Sequence, residues 1–204
     1  MNKVITIGRE FGSGGRELGR KLSEALGFAY YDNEIITEIS KRTSLSEEYV
    51  RQVTECKPIS PFPIHIGSSF FHAPDPAFNQ SIAVFSEQHK LLREMSEKSD
   101  CVIVGRCADY VLRDEKPFRI FVYADTESKL ARCMARRADG DVSTEKEMKR
   151  KMSEIDRSRA QYYEFFSDGK WGKRESYDLM INTSGKSMDV IVKATYEYVR
   201  AFFG

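Results

Sequence analysis

The sequence predicts an α/β fold, a parallel sheet of five short strands covered by helices on both faces. Three observations carry that reading. Five short apolar runs alternate with stretches of helical periodicity, and strands buried on both faces read as apolar runs of this kind. A glycine-rich turn at residues 12–15 follows the first run directly. The chain has 204 residues, 41% of them hydrophobic and 12% aromatic, which suits one domain with a real core and excludes global disorder.

The elements follow in order. Val4–Ile7 is a β-branched run that reads as a buried strand ending at Gly8. Leu18, Leu22 and Leu26 recur every four positions on one helical face, which Gly27 stops. Phe28–Tyr31 is a second strand. Asp32 and Asn33 are placed to cap the next helix, whose apolar face is Ile35, Ile36 and Ile39. A short helix starts near Ser46 and ends before Cys56. Residues 56–80 hold five of the six prolines, so regular structure is not expected there, and a loop that long is expected to cover substrate, with a passive or oligomer-contact loop as the alternative. A long helix spans 78–98, and Cys101–Val104 and Phe118–Tyr123 are strands three and four. Helices at 126–138 and 144–166 flank a turn-like spacer, Ala138–Val142. Asp178–Ile181 is strand five, and a last helix begins near Ser187.

Charge excludes some functions. The 32 Lys+Arg nearly cancel 31 Asp+Glu, and a net charge of +1 gives no bulk attraction to a nucleic-acid polymer or a membrane surface. Cys56, Cys101, Cys107 and Cys133 form no C-x-x-C pair, and His65, His72 and His89 lack zinc-finger spacing. The segment MNKVITIGRE is too short in its apolar run for a signal peptide, and no run approaches a membrane span. The expectation is a reduced, cytoplasmic protein.

The chemistry concentrates after the first strand. Gly12, Ser13, Gly14 and Gly15 enter a helix, where backbone N–H groups can approach phosphate oxygens and the helix N-terminus adds positive character. Two nucleotide motifs compete. A dinucleotide fold wants G-x-G-x-x-G and an acid about 20 residues on; Gly12, Gly14 and Asp32 fit, but Glu17 stands at the third glycine. A phosphate-binding loop wants G-x-x-x-x-G-K-[ST], but Gly15, Arg16 and Glu17 follow Gly14. The arginines break the tie. Arg106 ends strand three at the ligand-binding edge of the sheet, Arg132, Arg136 and Arg137 follow strand four, and Asp156 and Arg159 share a helix face. Cationic clamping of phosphates is what phosphoryl transfer needs, and an oxidoreductase has no such need.

The segments GREFGSGGRELG, YYDNE, VIVGRCADYVL, ARCMARRA, DRSRAQYY and YDLMINTS, in that order, resemble the cytidylate kinase-like family of P-loop nucleoside monophosphate kinases over nearly the whole chain. The resemblance implies a three-layer sandwich with strand order 2-3-1-4-5. The core would be 1–33, 80–125 and 175–204, with an NMP-binding insertion at about 34–80 and a lid at about 132–160. It implies transfer of the γ-phosphoryl of ATP, with Mg²⁺, to a nucleoside monophosphate or similar small acceptor. Gly8, Gly12, Ser13, Gly14, Gly15 and Arg16 would hold the ATP phosphates. Asp32, Asn33, Arg106, Asp156 and Arg159 would bind the acceptor, and Arg16, Arg132, Arg136 and Arg137 would neutralise the transferring group. The family's lysine is replaced by Gly15 and its hydroxyl residue by Glu17, a carboxylate that can take Mg²⁺. Cys107 replaces the aspartate expected on the cytosine amino group, so cytosine preference is not implied. Without the lysine, a nucleotide-binding module that has lost catalysis is the alternative.

Overall fold

A computed structural model describes residues 2–55, 76–137 and 142–204. The proline-rich stretch 56–75 and most of the spacer at 138–142 lie outside the described residues. The five strands are β1 (Val4–Arg9), β2 (Ala29–Tyr31), β3 (Cys101–Val104), β4 (Phe118–Tyr123) and β5 (Leu179–Asn182), in the order β2-β3-β1-β4-β5, all parallel. This is the P-loop kinase sheet, as the sequence predicts.

Eight helices are described: α1 (Gly15–Leu26), α2 (Asn33–Thr43), α3 (Glu47–Glu55), α4 (Pro76–Lys98), α5 (Ala108–Val111), α6 (Thr126–Ala135), α7 (Glu145–Phe166) and α8 (Met188–Phe203). None is long and apolar enough to cross a membrane. Alternation along β3 shows why both sheet faces are covered. Cys101 and Ile103 pack with Ile36 and Ile39 of α2 and Leu92 of α4, whereas Val102 and Val104 pack with Leu18 and Leu22 of α1 and Ile191 of α8.

Three differences from the sequence reading have physical causes. β1 runs two residues past its apolar stretch, because Gly8 and Arg9 pair with Phe121 and Val122 of β4. α5 has four residues, too few for a periodic signal. Asp32 stands at the N-cap of α2 without capping it; its backbone N–H donates to Glu34 Oε2, and its carboxylate turns to arginines. By contrast Thr144 and Glu147 form a complete capping box on α7.

Candidate functional site

The β1–α1 loop wraps the carboxyl end of the sheet. Gly12 and Gly14 have φ of +76° and +85°, which glycine adopts without strain. Gly14 also occupies the N-cap of α1 with no side chain capping it, so the helix entry is open to an anion. The loop is held from several sides. Ser13 is fully buried, and its Oγ donates to the Glu10 carbonyl. Its own carbonyl accepts from Thr183 Oγ1 at 2.7 Å. The Phe11 N–H donates to Asp156 Oδ1 at 2.7 Å. Burial raises the Asp156 carboxyl above its usual value, partly offset by the Phe11 N–H, Arg159 and Lys129.

Two cavities open here. The larger, about 250 Å³, is lined by the loop glycines, Arg16, Arg132, Arg136 and Cys133. The smaller, about 40 Å³, is lined by Gly8, Arg106, Asp109 and an aromatic wall that includes Tyr163 and Trp171. Arg9 and Arg159 line both.

Every predicted arginine can now be placed. Arg132 Nη2 donates to the Thr183 carbonyl at 2.6 Å, and Nη1 reaches the carbonyls of Gly12 and Ser13 at 3.4 Å, so this guanidinium secures the loop it borders. Arg136 borders the larger cavity and pairs with Glu17, which also faces Lys21 at 3.6 Å. Arg137 is exposed, donates to the carbonyls of Met134 and Ser143, and borders neither cavity. Arg16 leans from α1 toward the start of α2, with Nε 2.9 Å from Asp32 Oδ2 and Nη2 3.4 Å from Asn33 Oδ1. Arg106 is buried at φ +62°, with Nη1 donating to Thr54 Oγ1 at 2.7 Å. Arg159 Nη1 reaches the Arg9 carbonyl at 3.4 Å and lies 3.7 Å from Asp156 Oδ1.

The residue that sequence reasoning missed is Arg9. It is 7% exposed, and its Nη2 lies 4.0 Å from Asp32 Oδ1. Burial, together with nearby Arg159 and Arg106, pushes its guanidinium down to about 9, with Asp32 pulling the other way. A signal was present: Ile7-Gly8-Arg9 and Val104-Gly105-Arg106 put the same dipeptide at the carboxyl ends of neighbouring strands. Across the smaller cavity, burial raises the Asp109 carboxyl, and Tyr163 partly offsets this by donating to it at 2.7 Å. Burial also holds the Cys107 thiol well above its usual range, leaving it an inert wall residue.

Among the described residues the carboxylates offer no cage for a metal. Glu17 is engaged by Arg136 and Lys21, and Glu10 lies 2.9 Å from Lys129. No group of three or more metal-ligating side chains occurs among the described residues.

Comparisons with known proteins bear on the fold and the family. No curated protein matches the chain. A solved structure of an uncharacterized protein from Eubacterium ventriosum is 25% identical, with TM-score 0.70 and coverage of 98% of this chain and 99% of that one. A shikimate kinase from Acinetobacter baumannii in complex with shikimate is 15% identical, with TM-score 0.56 and coverage of 98% and 94%. A shikimate kinase from Bacteroides thetaiotaomicron is 13% identical, with TM-score 0.58 and coverage of 97% and 98%. These two show a shared fold. The model of the cytidylate kinase-like family matches residues 4–185, and this chain, a nucleotide-binding protein of the P-loop kinase type, belongs to that family.

Proposed function

We propose that the protein transfers the γ-phosphoryl group of ATP to a nucleoside monophosphate or a similar small acceptor. The observation that carries this reading is the shared wall: a loop-and-helix cradle for phosphates and a second, arginine-lined cavity meet at Arg9 and Arg159. Donor phosphates lie against Gly12, Gly14 and Gly15, at the N-terminus of α1. The acceptor's anionic group enters beside Arg106, in a cavity that Tyr163 and Trp171 also line. The bond from the γ-phosphorus to the β-phosphate oxygen breaks, ADP leaves, and a new bond forms to an acceptor oxygen. Where that oxygen belongs to a phosphate it is already anionic, so no general base is required and the protein's part is positioning and charge neutralisation.

Mg²⁺ would arrive on the ATP phosphates, since it keeps several waters and needs few protein ligands. When bound it supplies further neutralisation of phosphate charge. The decisive assay presents nucleoside monophosphates with ATP and Mg²⁺ and reads ADP release. ADP above background with at least one acceptor supports the reading, and none with any acceptor sinks it.

A second reading, a nucleotide-binding sensor without catalysis, draws on two features. Gly15 stands at the lysine position, and Glu17, at the hydroxyl position, is tied to Arg136. ATP binding by calorimetry with no turnover would favour it. For the dinucleotide reading, the pairing of Asp32 with Arg16 at 2.9 Å opposes a carboxylate reserved for a ribose.

A further inference from the structure

We infer that Arg9 supplies, from the end of β1, the cation at the terminal phosphate that position 15 of the loop lacks. The inference rests on the proposed kinase reading and assigns that site a residue that the G-x-x-x-x-G-K-[ST] pattern does not specify. Gly15 and Arg9 are sterically linked: a Cβ built at Gly15 would lie 2.5 Å from Arg9 Cβ and 3.1 Å from its Cγ. No lysine fits at position 15 while Arg9 keeps its place. The glycine at the lysine position is therefore the space through which the Arg9 side chain runs.

The far end of that side chain is equally specified. A Cβ at Gly105 would fall 1.7 Å from Arg9 Nη1, so a second glycine, at the end of β3, makes room for the guanidinium. Arg9 is thus threaded between two glycines into the wall shared by both cavities, where a phosphoryl group passes from donor to acceptor. Its protein partners do not satisfy it. Nε takes no hydrogen-bond partner among the described residues. The nearest carboxylate oxygen, Asp32 Oδ1, is 4.0 Å away, while the other oxygen of Asp32 is held by Arg16. A buried guanidinium with three like charges near it (Arg159, Arg106 and Arg16) and one distant half-share of a carboxylate is suited to an incoming oxyanion.

The test compares MgATP and MgADP binding by calorimetry, alongside melting temperatures without ligand. In the wild type, the contact to the terminal phosphate should make ATP bind tighter than ADP, on the order of ten- to a hundredfold. Arg9→Met should abolish most of that preference and leave ADP affinity within about threefold. Its ligand-free melting temperature should equal or exceed the wild type, because one of several clustered positive charges is gone. The relocation variant Arg9→Gly/Gly15→Lys empties the channel, restores a cation at position 15 and should regain the preference. If Arg9→Met fails to fold, Arg9→Lys and the relocation variant decide.

Equal losses for ATP and ADP would make Arg9 a support for the loop, and an unchanged preference would remove it from the site. Either result overturns the inference while wild-type ATP binding leaves the kinase reading standing. A wild type that binds no ATP overturns both.

Discussion

Strands β1 and β3 lie side by side, and the dipeptide Gly-Arg ends the first and follows the second, used in opposite ways. Gly8-Arg9 stays in the strand, paired with Phe121 and Val122. Its arginine side chain crosses to the neighbouring strand's end and lies against Gly105. Gly105-Arg106 leaves the strand through left-handed backbone, with φ of +76° and +62°, continued by Cys107 at +55°. That turn brings the Arg106 carbonyl to Gln88 Nε2 at 2.9 Å and its guanidinium to Thr54. The dipeptide does not set the direction of the guanidinium. The backbone region of the two residues does, and it is set by what pairs with them.

The largest effect that would test this contrast is Gly105→Ala. A side chain at φ +76° is strained, and its Cβ would displace the Arg9 guanidinium. The expected loss is about 2–4 kcal/mol, read from the urea midpoint. Gly8→Ala should cost less, about 1–3 kcal/mol, since its backbone suits any residue and only the rings of Phe121, 2.8 Å away, and Tyr177 must give. A greater loss at Gly8 than at Gly105 would show that crowding, and not backbone conformation, separates the two ends.

Arg106→Lys sharpens the comparison functionally. It keeps charge but loses the forked donor, so acceptor KM should rise on the order of tenfold with ATP affinity nearly unchanged. A drop in melting temperature with unaltered acceptor kinetics would make Arg106 structural. The smallest expected effect is on pH dependence. Arg9 titrates at about 9 in the fold, well below the ordinary arginine value. Between those values the unfolded chain holds a proton that folded Arg9 has released, so this residue's contribution to stability rises with pH. Below about pH 9 both states are charged and the cost of burying the charge is fully felt. The stability gap between wild type and Arg9→Met should therefore move toward wild type, on the order of 1–2 kcal/mol from pH 8 to 10. A flat gap would mean that Arg9 stays fully protonated throughout.

The sheet was legible because each of its strands is an apolar run, and the burial of alternate residues on opposite faces follows from that run alone. The glycine loop was legible because three of its four residues are glycine. Arg9 shares the Gly-Arg dipeptide of Arg106, which hints at it, but its place in the site comes from Gly15 and Gly105, one in the next helix and one far along the chain, and neither signals its neighbour in sequence. The resemblance gives Arg132 as a charge for the transferring group; its bonds to the carbonyls of Gly12, Ser13 and Thr183 use acceptors that every sequence carries and none advertises. The acceptor role of Asp156 is what the resemblance implies, and the Phe11 N–H it accepts from lies 145 positions away, beyond any local pattern.

The bond from Thr183 Oγ1 to the Ser13 carbonyl spans 170 positions, and Met188 Cε lies 2.6 Å from where a Gly14 Cβ would be. The loop made among the first residues is therefore fastened by some of the last. During synthesis, a ribosome-bound chain carries the glycine-rich segment long before it carries residues 183–188. Closing so distant a contact is slow, which delays completion of the phosphate cradle until nearly the whole described sheet has emerged.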